Sequence, residues 1–123
     1  MIEQRRYARA PINSPASFSV KGKTDKTEGL AKDISVGGMF IETTAPAGFG
    51  ADVIVHLTLR APGASPEMVA LPGVVRWVRD GGMGVQFGLL GAVETHIITE
   101  IGRKHAESAS GGSSGGSGGQ TSR

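Results

Sequence analysis

Apolar and polar positions alternate along most of this chain, and glycine and proline break the alternation at short intervals. From Ala16 to Lys21, Phe18 and Val20 fall on one side and Ser17 and Ser19 on the other, the period-two pattern of a half-buried strand. A polar turn, Lys21-Gly22-Lys23-Thr24-Asp25, leads to a second alternating stretch, Gly29 to Ile34, and this hairpin returns Asp33 towards the N-terminal segment. Gly37-Gly38 then interrupts the chain before a short apolar strand, Met39-Phe40-Ile41. Beyond a loop containing Pro46, Gly48 and Gly50 lies the clearest strand, Val53 to Leu59, with Val53, Val55, Leu57 and Leu59 on one face. Met68 to Val78 reads as a long strand with a bulge or bend at Pro72-Gly73. Asp80-Gly81-Gly82 turns it into a last strand, Met83 to Leu89. Strands of this length between Gly/Pro turns predict an antiparallel barrel or sandwich.

The period changes after Leu89. Leu90, Val93, Ile97 and Ile101 form a helical stripe with His96 and Ile98 at its edges, while Glu94, Thr95, Glu100, Arg103 and Lys104 take the other face. The expected element is an amphipathic helix lying across the barrel or closing one mouth, with its basic residues in the last turn. Residues 1–14 are polar and carry Pro11, with Pro15 just beyond; they predict a flexible arm rather than an element. Residues 107–123 are rich in Gly and Ser and predict a disordered tail or linker, native or artificial. The expected organisation is an arm over 1–14, a barrel plus helix over 15–106 and a tail over 107–123.

A chain of 123 residues fits one domain. It has no cysteine, hence no disulfide framework and no thiolate metal site. No apolar run approaches the roughly 20 residues of a bilayer span, and the N-terminus has no apolar signal core, so a cytoplasmic protein without membrane insertion is expected. A net charge of +2 is too small for a general nucleic-acid coat, and one Trp, one Tyr and four Phe are too few for a base-stacking groove, so neither DNA nor RNA is an expected partner.

Enzyme readings fail one by one. Gly22-Lys23-Thr24 ends like a phosphate-binding loop, but Ser17 stands where the opening glycine is required. His56, His96 and His105 have no ligand spacing. There is no nucleophile elbow, and no pair of carboxylates sits in an apolar context. A non-catalytic protein is expected, with neither metal nor cofactor.

Two polar clusters remain. Arg5, Arg6 and Arg9 lie within five residues, with only Glu3 close by, and can be a solvated arm or an anion clasp whose planar guanidinium forks match phosphate or a base edge. Asp33, Ser35, Gly37 and Gly38 form by default a polar turn at a strand end, and otherwise a floor that a flat base can approach. Trp77 is in phase with Val75, which favours the core; the alternative is an indole outside the barrel that stacks on a base. Arg76 and Arg79 would add to the positive field there.

Taken together, Arg5-x-x-x-Arg9 and Asp33-x-Ser35-x-x-Gly38 resemble the two-part signature of the PilZ domain family. The later run Gly73-Val74-Val75-Arg76-Trp77, a Gly turn, Gly84-Val85-Gln86-Phe87 and a closing helix fit the same pattern, so the resemblance spans roughly residues 4–105. It implies a mainly β fold, a six-stranded antiparallel barrel with a C-terminal α-helix, that binds cyclic di-GMP. By that resemblance Arg5 and Arg9 clasp phosphates and guanine Hoogsteen edges, Asp33 and Ser35 contact a guanine, and Gly38 supplies the tight turn; Arg6 lies between the motif positions. Gln4 stands where some members carry a further arginine and bind a stacked ligand dimer, so one bound ligand is expected. The function expected is a receptor whose arginine arm orders around the ligand and signals to a protein partner in bacterial motility or envelope functions. The alternative is a scaffold of the same fold that binds no nucleotide.

Overall fold

The computed structural model describes residues 9–111. Six strands, β1 (Ala10–Val20), β2 (Thr27–Ser35), β3 (Gly38–Glu42), β4 (Asp52–Leu59), β5 (Glu67–Arg79) and β6 (Gly82–Phe87), precede one helix, α1 (Ala92–Gly111). All neighbours are antiparallel and the sheet closes in the order β1-β2-β3-β6-β5-β4. Closure pairs the middle of every strand on both sides and leaves only short one-sided stretches, such as the start of β1 and of β5. The expected mainly β barrel with a C-terminal helix is the observed fold.

The alternating positions fill the barrel. Phe18, Ile34, Met39, Ile41, Leu71 and Met83 are fully buried, and Val53, Val55 and Val75 join them. Each such side chain contributes about 1.5–3 kcal/mol relative to exposure. Ile97 and Ile98 of α1 belong to the same buried cluster, because the helix packs onto β1 and β2.

Several boundaries differ from expectation, each for a local reason. β1 starts at Ala10, so the segment from Ala10 to Ser14, expected to be part of an arm, is strand. There it pairs with β2 alone, since β4 joins only from Ala16, and proline is tolerated where a strand has one neighbour. The extra residue is absorbed by an irregularity between Pro11 and Ser14, where Asn13 has φ 46°. Pro72-Gly73 carries no bulge, because β5 pairs with β4 as far as Val74 and with β6 only from Gly73 onwards, so the ring of Pro72 opposes one neighbour. The last strand stops at Phe87, leaving Leu89 95% exposed.

On α1 the inward face is Glu94, Ile97, Ile98, Ile101 and Gly102, and Val93 lies in solvent. This stripe is rotated from the expected one by about one position, which places Ile98 in the core rather than at an edge. The helix continues to Gly111, past Glu107, where a coil was expected, so Arg103 and Lys104 are not in its last turn. Arg103 instead bridges Glu100 at 2.6 Å and Glu107 at 2.5 Å, the i,i+3 and i,i+4 spacings that support an exposed helix. The hydrogen bond from Arg103 lowers the Glu100 pKa, and its acidic partners raise that of Arg103. Among the described residues no helix is long and apolar enough to cross a membrane.

Candidate ligand-binding site

Two β-bulges determine which side chains reach the outer surface. On β2 the partners are Ala31↔Ile41 and then Asp33↔Phe40, so Lys32 is an extra residue. Strict alternation from the buried Ala31 would send Asp33 into the barrel; the bulge reverses the phase, turning Asp33 outward and Ile34 inward, where it is 1% exposed. The same device occurs on β5, where Val75↔Val85 is followed by Trp77↔Gly84 and Arg76 is the extra residue. Val75 is fully buried while Trp77 is 42% exposed. The core placement favoured for Trp77 by its phase with Val75 is therefore overturned. Its indole lies outside the barrel.

β3 and β6 lie between the two bulges, and their outward residues complete the site. Phe40, Trp77 and Gly84 meet at one level, since Gly84 pairs with Phe40 on one side and Trp77 on the other. A Cβ on Gly84 would run into the Trp77 indole, and one on Gly82 would lie 2.5 Å from Cζ of Phe40. The two aromatic rings thus lie over a glycine track on β6. They are stacked with centroids 5.3 Å apart and planes 12° apart. The guanidinium of Arg79 sits over both, 4.6 Å from the Trp77 ring centroid and 5.1 Å from that of Phe40.

At the other wall, Arg9 Nη1 donates to Asp33 Oδ1 at 2.5 Å, and the same oxygen accepts from the Phe40 N–H at 3.3 Å. The β1–β2 pairing Pro11↔Asp33 brings the chain past Asp33 directly after Arg9. With side chains 51% and 30% exposed, this ion pair contributes little to stability; it orients the guanidinium and is cheap for an incoming anion to displace. The Ser35 hydroxyl is 2% exposed and serves the β2–β3 turn, accepting from the Gly37 N–H at 3.1 Å and donating to the Gly38 carbonyl at 3.5 Å.

These elements surround an open groove of about 510 Å³, lined by Arg9, Asp33, Gly37, Gly38, Phe40, Arg76, Trp77, Arg79, Gly84 and Gln86 together with Met39 and Val85. Its volume lies within the usual range for small-molecule sites. Three guanidinium groups face one carboxylate, so the groove favours an anion with flat rings. Of the residues expected from sequence, Arg9, Asp33, Gly37, Gly38 and Trp77 converge here, and Ser35 lies beneath in the turn. Arg5 and Arg6 fall outside the described residues. Arg76 and Arg79, expected to add to the positive field beside Trp77, line the groove as well, and Phe40, Gln86 and Gly84 are additional. Gly82 and Gly84, alternating on a strand beside aromatic neighbours, were the available signal for a ring-covered track. Among the described residues no group of three His, Cys, Asp or Glu could hold a metal ion.

The family model described as PilZ domain matches residues 3–101. No curated protein matches the chain in sequence. Among solved structures, the Bacillus subtilis inhibitor of motility (MotI/DgrA) superposes with a TM-score of 0.70 at 14% identity, over 83% of this chain and 51% of that one. The chain therefore spans about half the length of that protein. The PilZ domain of CeSA from a cellulose-synthesizing bacterium superposes with a TM-score of 0.61 at 17% identity, over 78% of this chain and 95% of that one. At these identities the likeness concerns the fold alone.

Proposed function

Because the chain belongs to the PilZ domain family, we propose that it is a cyclic di-GMP receptor without catalytic activity that passes ligand occupancy to a protein partner. The observation that carries this reading is the convergence of Arg9 and Asp33, 24 residues apart in sequence, with Trp77 around one groove. Cyclic di-GMP offers two phosphates and two purines, and the groove offers a matching guanidinium and aromatic platform. Arg9 turns from Asp33 to a phosphate. Asp33 accepts from a guanine edge, and Gly37 and Gly38 let the base approach the backbone. Ser35 acts at the same guanine through the turn that its hydroxyl holds. A purine stacks on the Phe40–Trp77 platform as Arg79 swings aside, at a cost of about 0.5–1 kcal/mol for an exposed cation–π contact, against about 1–3 kcal/mol gained by base stacking.

Arg5 and Arg6 complete the clasp from the N-terminal arm, which orders around the ligand; the ordering cost lowers affinity but creates the switch. The ordered arm and ligand then form the surface read by the partner. The partner belongs to motility or envelope machinery, a reading in keeping with the name inhibitor of motility carried by MotI/DgrA. The receptor works in the cytoplasm.

Calorimetric titration with cyclic di-GMP is the direct test. One ligand per chain is expected, with a change in the emission of Trp77, the single tryptophan. Arg9→Ala removes charge-assisted bonds of about 1.5–3 kcal/mol and weakens binding roughly ten- to a hundredfold. Absence of binding, or unchanged affinity in Arg9→Ala, leaves the nucleotide-independent scaffold as the better account.

A further inference from the structure

The C-terminal half of α1 carries charge that the groove does not use. Lys104 and His105 stand one turn beyond Ile101, at the i+3 and i+4 spacings, and share its face of the helix. Together with Arg60, the residue after β4, they line an open cleft of about 390 Å³. Its floor is apolar: Ala10 and Ala61 are buried, and Ile101 packs against the core. Pro11 and Pro62, both exposed, complete the lining, which among the described residues contains no acid.

The acids nearest Lys104 along the helix are already engaged. Glu100 and Glu107 stand four residues before and three after Lys104, where a carboxylate would neutralise it, and Arg103 bridges both. Among the described residues no ion pair includes Lys104 or Arg60. Nor do these charges serve the helix macrodipole, because α1 runs on to Gly111, more than a turn past His105. Uncompensated cations around an apolar floor are complementary to a segment that carries both carboxylates and an apolar side chain. A membrane surface fits less well: polybasic lipid patches gather about four to eight Lys and Arg, whereas this cleft has two with one His and is concave.

We propose that this cleft docks an acidic segment of the protein partner, with carboxylates on Arg60 and Lys104 and an apolar side chain on the floor formed by Ala10, Ala61 and Ile101. This rests on the reading that the chain signals to a protein partner, and it supplies the chemistry of that partner. β1 connects the cleft to the groove. Ala10 and Pro11 pair with Ile34 and Asp33 and directly follow Arg9, whose guanidinium bonds Asp33. When Arg9 turns to a phosphate, the backbone next in line is the strand start that forms one wall of the cleft. Ligand and partner therefore alter each other's affinity by the same factor.

The test is fluorescence anisotropy on the intact chain with a labelled peptide of glutamate, leucine and serine, and with its counterpart carrying lysine for glutamate. The acidic peptide should bind and the lysine peptide should not. Lys104→Glu should weaken the acidic peptide roughly tenfold or more, since it sets like charges against each other. Lys23→Glu, the same change of net charge in the loop after β1, should leave it unchanged. All three basic positions are exposed, and an unchanged thermal midpoint verifies the fold. Saturating cyclic di-GMP should tighten the peptide roughly fivefold or more, and Lys104→Glu should retain cyclic di-GMP affinity by calorimetry. Absence of acidic-peptide binding, or an equal loss in Lys23→Glu, overturns the docking site. Binding to phosphatidylserine vesicles that Lys104→Glu abolishes overturns it in favour of a membrane. Peptide affinity indifferent to cyclic di-GMP overturns the coupling. A chain that takes the acidic peptide but not cyclic di-GMP overturns the receptor reading and leaves the cleft standing; the reverse result overturns the cleft alone.

Discussion

Gly38→Val is expected to lower the urea midpoint of the barrel more than Arg9→Ala, Lys104→Glu or Gly84→Val. Gly38 begins β3 and pairs with Ser35 on β2 and Gln86 on β6. A Cβ there would lie well inside 3.0 Å of the Val85 carbonyl oxygen, a backbone atom of the neighbouring strand. Relief would require β3 and β6 to separate, and each is held on its other side as well, by β2 and β5. The cost should be about 3 kcal/mol or more, at or above the upper end for overpacked sites. Urea denaturation followed by circular dichroism measures it. A midpoint equal to that of the parent would show that the strands can move apart.

Gly84→Val should instead leave the barrel folded and remove ligand binding. The atoms nearest a Cβ at Gly84 are those of the Trp77 indole, a half-exposed side chain free to rotate into solvent. The expected structural loss is the ring stack with Phe40, about 0.5–1.5 kcal/mol. The functional loss is larger, because the platform is dismantled: cyclic di-GMP affinity should fall roughly tenfold or more. Emission from Trp77 should shift to the red as the ring enters water. Unchanged emission, or wild-type affinity with the ring displaced, would exclude Trp77 as the base platform. The contrast between two glycines a few residues apart in space follows from what each would strike: immovable backbone in one case, a movable ring in the other.

Arg9 and Asp33 were legible as candidates because each belongs to a short motif. Their meeting was legible too, since a β1–β2 hairpin must carry Asp33 back beside the residues after Arg9, as the Pro11↔Asp33 pair confirms. Arg76 and Arg79 were legible only as charge near Trp77, and Gln86 and Phe40 were not marked for the site at all. They come from three strands that are distant in sequence, and only the strand order β3-β6-β5 makes them neighbours. Ser35 illustrates a different limit: its motif position marked it, but its burial and its bonds to the turn are properties of the packed strands.

Hydrophobic periodicity determined the six strands, the helix, the inward residues such as Phe18, Ile41 and Val55, and the class of fold. These depend on local repeats of two and 3.6 residues, which the chain carries along its own length. The phase of the outward residues was decided only by tertiary structure. One extra residue in a ladder, Lys32 on β2 or Arg76 on β5, shifts the phase of the residue after it, and its presence depends on register with neighbouring strands. Strict alternation from the buried Ala31 and Val75 would direct Asp33 and Trp77 into the core. Two bulges on either side of β3 and β6 turn both outward, and the groove lies between them.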